Sequence, residues 1–75
     1  MKHNLTNVLE DLYESEINFH IGTFWDAGYD VFLGDHLNGY IDESLQIDTI
    51  EEVAQELIRM AIEHYPDSDF AVKYQ

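Results

Sequence analysis

The sequence has no cysteine, a single proline, and three Lys and Arg residues against sixteen Asp and Glu. Without cysteine there is neither a disulfide framework nor a thiolate metal site, a composition that suits a reducing cytoplasm. Lys2 and Lys73 lie near the two ends, which leaves Arg59 as the only fixed positive charge between them. A formal net charge of −13 repels nucleic acid and anionic membranes and favours basic proteins or cations. No segment approaches the roughly 20 apolar residues of a membrane span. The opening MKHNLTNVLEDLYESE turns acidic early and has no apolar run, so it does not read as a signal or transit peptide. The expected setting is a soluble cytoplasmic protein.

What is present argues for folding. A hydrophobic content of 45% is ordinary for a globular domain, although self-repulsion among the carboxylates opposes compaction and should make salt stabilising. Seventy-five residues form one domain, 1–75, with room for a single two-layer core. No internal repeat, low-complexity tract or interior linker divides it.

Hydrophobic spacing predicts a helix over about 5–14, with Leu5, Val8, Leu9 and Leu12 on one face and Asn4 as cap. Glu10, Asp11, Glu14 and Glu16 crowd its C-terminal end, against the helix dipole, so its last turn is expected to fray. A second helix is predicted over about 49–65. Asp48 with Glu51, or alternatively Thr49 with Glu52, supplies a capping box. Its apolar stripe runs from Ile50 to Tyr65 and includes His64, while Ile58 and Ile62 widen it enough to require a second covering surface, the first helix or a partner chain. Arg59 has Glu56 three residues before it and Glu63 four after, which predicts local ion pairing. Pro66 ends the helix, leaving 66–75 as a tail that Phe70 could pin to the core.

Between the helices, strands are predicted over about 17–25, 29–34 and 40–47, joined by three-residue hairpin loops DAG and LNG. Pairing Trp25 with Tyr29 and His36 with Tyr40 places Phe19, Ile21, Thr23, Trp25, Tyr29, Val31, Leu33, Ile41, Leu45 and Ile47 on the core face. Glu43 then falls on that apolar face, which implies an edge or a bulge. The other face carries His20, Gly22, Phe24, Asp30, Phe32, Gly34, Tyr40, Asp42, Ser44 and Gln46, with Phe32 across from Gly22.

The fold class is therefore α+β: a two-layer α-β-β-β-α arrangement with a three-stranded antiparallel meander covered on one face by two helices. The order resembles that of double-stranded-RNA-binding domains. The resemblance is one of topology alone, because DTIEEVAQE stands where those domains carry a basic, phosphate-gripping helix start.

No catalytic signature emerges. The stretch GDHLNGYIDESL fails as a calcium loop: with Gly39 at the sixth position, Gly34 and His36 occupy ligand positions and Leu45 stands where a bidentate Glu is required. Asp26, Asp30, Asp35 and Asp42 remain as a weak divalent-cation candidate at the sheet rim, against their simpler reading as turn formers. The four histidines show no metal spacing, no serine has a nucleophile motif, and no cofactor is implied. His20 is a candidate pH-sensitive contact on the outer face, and His64 reads as a hydrogen-bonded core-edge residue.

The aromatic outer face is the most informative feature, since the solvated side of an antiparallel sheet is ordinarily polar. Aromatic residues there either form an interface anchor or strengthen cross-strand pairs in a lone sheet. The expected function is a small acidic protein–protein interaction module and not an enzyme. It would work as a homodimer or as a nucleic-acid-mimicking inhibitor or adaptor of a basic partner. The candidate surface is His20, Phe24, Asp30, Phe32, Tyr40 and Asp42, with Ile58 and Ile62 as a second edge. The alternative is a small enzyme or ligand- or cation-binding protein whose site forms between subunits around His20, Asp30 and Asp42.

Overall fold

A computed structural model describes residues 3–75, with the side chain of Phe24 outside the described set. The element order is α1 (Leu5–Glu14), β1 (Phe19–Phe24), β2 (Gly28–Asp35), β3 (Gly39–Ile47), α2 (Ile50–His64) and α3 (Asp69–Tyr74). The strands form one antiparallel sheet in the order β1-β2-β3, and the helices pack on it, giving the α+β fold that the hydrophobic periodicities predict. No helix among the described residues is long and apolar enough to cross a membrane.

Local chemistry accounts for the helix ends. Asn4 caps α1 by accepting from the Thr6 N–H at 2.8 Å. In α2 the second of the two capping pairs is used: Thr49 Oγ1 accepts from the Glu52 N–H at 3.1 Å and donates to the Glu52 carboxylate at 3.2 Å. The end of α1 corrects the expected fraying. Glu16 adopts the left-handed conformation at φ 60°, the Ile17 N–H donates to Leu12 O and the Glu16 N–H to Tyr13 O. This is a Schellman closure, sealed by burial of Ile17 and Leu12.

The predicted tail is instead a third helix. Ser68 caps it by accepting from the Ala71 N–H at 3.0 Å, and Phe70 and Ala71 are buried. Phe70 therefore does pin this segment. Its burial, with Val8, Leu12, Val31, Leu33, Val53, Leu57 and Met60, makes α3 part of the core.

The hairpin loops sit one residue earlier than expected. Phe24 pairs with Gly28 and Asp35 with Gly39, so the loops are Trp25–Ala27 and His36–Asn38. Each shift moves a residue's cross-strand partner by two positions, which keeps the parity of the faces. It does bring His20 opposite Phe32 and Gly22 opposite Asp30, and it lifts Trp25 out of the core face into the turn, where it is 89% exposed.

Strand β3 departs further, because two bulges interrupt its pairing with β2. Between the Gly34–Tyr40 and Leu33–Asp42 pairs the extra residue Ile41 reverses the parity, so Asp42 and Ser44 face the helices, opposite Leu33 and Val31. Glu43 moves to the outer face opposite Phe32. The second bulge, where Gln46 takes φ 59°, reverses parity again and returns Ile47 to the core opposite Tyr29. Ile41 and Leu45, expected inside, are 48% and 53% exposed. Gly34 makes the first bulge possible: at φ 109° a Cβ there would lie 2.7 Å from Gly39 O.

Candidate functional site

The outer sheet face gathers four of the expected surface residues, His20, Asp30, Phe32 and Tyr40. His20 on β1, Phe32 on β2 and Tyr40 on β3 form a continuous aromatic row, with ring centroids 5.9 Å apart for His20–Phe32 and 4.8 Å for Phe32–Tyr40. Tyr40 remains 45% exposed. Glu43, opposite Phe32, and Asp30, two residues before it, bring carboxylates to the same face. Asp30 also supports the backbone, since its Oδ1 accepts from the Gln46 N–H at 3.1 Å and satisfies a donor that the second bulge would otherwise strand. Phe24 belongs to β1, but its side chain lies outside the described residues.

Asp42 does not belong to this surface. The first bulge turns it toward α2, where its Oδ2 lies 3.0 Å from His64 Nε2 and 3.9 Å from the Arg59 guanidinium. Arg59 also reaches Glu63 at 3.0 Å and Glu56 at 3.2 Å, the local pairing expected from its spacing. The hydrogen bond from His64, followed by that from the Glu43 N–H, holds the Asp42 carboxyl below its ordinary pKa.

The ligating atoms of Asp42, Glu63 and His64 lie within 4.8 Å of one another, the one group of at least three such side chains among the described residues. The guanidinium of Arg59 sets one positive charge beside this group, 3.0 Å from Glu63 and 3.9 Å from Asp42. The arrangement is accordingly an ionic tie between α2 and the sheet edge. The rim carboxylates Asp26, Asp30, Asp35 and Asp42 do not converge on one point. Asp35 instead builds the second hairpin loop, accepting from the N–H groups of Leu37 and Asn38 at 2.9 and 2.7 Å and from Asn18 Nδ2 at 2.9 Å. The Asn38 backbone bond is the foremost cause of its lowered pKa.

No protein-family model matches this chain, and no curated protein or solved structure matches it either. Its function must be argued from its own surfaces.

On α2, Ile58 packs against the core and is half-buried, as is Ile62. Sequence reasoning missed the contact between α1 and α3. Tyr74 donates to Asp11 Oδ2 at 2.5 Å, and Lys73 Nζ lies 2.9 Å from the same oxygen. Desolvation first, and then the Asp11 bond, push the Tyr74 phenol up to about 12. A signal was present in SDFAVKY, where a serine cap is followed by an acidic first turn and a basic last one. The pairing of Asp11 with Tyr74 had none, because 63 residues separate the partners.

Proposed function

We propose that this protein is an acidic, non-enzymatic binding module that engages a basic protein partner through its outer sheet face. The observation that carries the reading is the state of its cations. Arg59 and Lys73, the two Lys or Arg residues within the described set, are both held by the chain's own carboxylates. A net charge of −13 is therefore presented without a free Lys or Arg among the described residues to receive an anionic ligand. The row of His20, Phe32 and Tyr40 adds an apolar anchor amid carboxylates, the composition by which a small surface obtains affinity as well as charge steering.

Competition with nucleic acid for a DNA- or RNA-handling protein is the sharper form of this function, and self-association through the same face is its homodimeric form. The competing reading, a ligand, cation or enzyme site around His20, Asp30 and Asp42, receives less support. Asp42 faces the helices while His20 faces outward, so a shared site would have to join opposite faces of the sheet.

The test is affinity capture from a native lysate at low and high salt, followed by binding of each purified partner with and without competing duplex DNA. Partners should be basic, release should be steep in salt, and combined Phe32→Ala and Tyr40→Ala substitution should weaken binding. Capture that is indifferent to salt and to both substitutions would reject the module as described.

A further inference from the structure

The sheet has two free edges, and the chain treats them differently. The β3 edge carries Asp42 and Glu43 and is broken by two bulges, the devices by which sheet proteins prevent unwanted strand pairing. The β1 edge has none of these. Its six residues FHIGTF include no Asp, Glu, Lys, Arg or proline, and its register with β2 is uninterrupted from Phe19 to Phe24. In a chain with sixteen acidic residues, the one strand left uncharged and regular is an edge strand.

The direction of its polar groups follows from one bond. The Gly34 N–H donates to Asn18 O at 2.7 Å, which continues the β1–β2 register and marks Asn18–Gly34 as a hydrogen-bonded pair. Pairs of this kind alternate along an antiparallel ladder. His20, Gly22 and Phe24 therefore turn their backbone groups toward β2, while Phe19, Ile21 and Thr23 turn theirs to the open side. No hydrogen bond from elsewhere among the described residues reaches those three. Gly22, at the centre of the strand, adds no side chain that would hinder a close approach; a Cβ there would meet only His20 Nε2, at 3.8 Å.

We propose that the β1 edge is a strand-addition site for an extended, lysine- or arginine-bearing segment of the partner, which becomes a fourth strand beside Phe19–Phe24. The occupant follows from charge. A second copy would bring another −13 against this edge, whereas a basic segment meets acids at both ends of the strand. At one end an open depression is lined by Tyr13, Glu14, Glu16 and Asn18; at the other, Asp26 stands beside the 89% exposed Trp25. Main-chain bonds to Phe19, Ile21 and Thr23 supply register, and the flanking carboxylates supply selectivity for cationic side chains. The proposal rests on the binding-module reading and specifies how the partner is gripped.

The experiment uses two capped peptides of equal charge, one alternating lysine with threonine and one carrying lysine with regularly spaced proline, which cannot form a strand. Binding of the lysine–threonine peptide should slow amide hydrogen exchange at Phe19, Ile21 and Thr23. Thr23→Pro removes one outward N–H without touching the β1–β2 ladder and should weaken that peptide about tenfold, while Thr23→Ala should not. N-methylation of alternate peptide amides should weaken binding to the unaltered protein similarly, which keeps the test independent of whether the proline variant folds. Equal binding of both peptides with no protection at these amides would overturn strand addition and leave the acidic-module reading intact. Failure of both peptides to bind would overturn both. Protection of the same amides by self-association without peptide would overturn the basic occupant.

Discussion

His64 Nε2 lies 3.0 Å from Asp42 Oδ2, so the last turn of α2 is tied to the edge strand at the point where the first bulge has turned that strand inward. The consequence is a measurable acid dependence. Asp42 has a folded pKa below its ordinary value, so the unfolded chain binds the proton more readily. Its stabilisation is complete above the ordinary carboxylate pKa of about 3.9 and is lost as the pH falls through the lower folded value. Asp42→Asn should cost about 0.5–1 kcal/mol at neutral pH, the scale of a solvent-screened pair. It should also flatten the fall in urea midpoint between neutral and acidic buffers.

Glu16 closes α1 in a conformation that suits glycine, and places a negative charge at the negative end of the helix. Glu16→Gly should raise stability by about 1 kcal/mol, or roughly 4–8 °C in melting temperature. Glu16→Ala removes the charge but keeps the backbone strain, so it should recover only a minor part of this gain. Thermal melts of the three proteins check both expectations.

Tyr74 and Asp11 join the two ends of the described chain, and their pKa values shift in opposite directions. For the phenol, the folded value of about 12 exceeds the unfolded one of about 10. Its contribution is fully present below about pH 10 and is lost as the pH rises through the folded value. Tyr74→Phe should lower stability by about 1 kcal/mol at neutral pH, allowing for solvent screening. It should also remove this part of the alkaline decline, read from denaturant midpoints on either side of that range.

Phe70 is 1% exposed and stacks on Tyr74 at 4.3 Å. Phe70→Ala should cost about 3–5 kcal/mol. A domain of 75 residues has on the order of 4–11 kcal/mol in total, so the variant should lose roughly a third or more of its stability and melt well below the parent protein. Circular dichroism melts test this, and a stable Phe70→Ala protein would show that α3 is dispensable.

Much of the fold was legible in local pattern. Leu5, Val8, Leu9 and Leu12 define α1 by their spacing, and the extended stripe of α2 does the same for its element. Parity placed His20, Phe32 and Tyr40 together on the outer face although both loops began one residue earlier than expected. A period of two tolerates a shift of two. It does not tolerate a bulge, which is why Asp42 was expected on the outer face and lies, half-buried, on the face toward the helices.

The sequence by itself determined the unrelieved negative charge, the two longer helices, the meander and the uncharged first strand. These depend on composition and on spacings of a few residues, which each segment expresses wherever it packs. Only the tertiary structure decided the turning inward of Asp42, the formation of α3 and the exposure of the β1 edge. A bulge inserts where Gly34 can approach Gly39 and where Asp30 can satisfy the Gln46 N–H. A helix of six residues is too short to persist unaided and forms because the core accepts Phe70. An edge becomes a surface only once the order β1-β2-β3 leaves it without a neighbour.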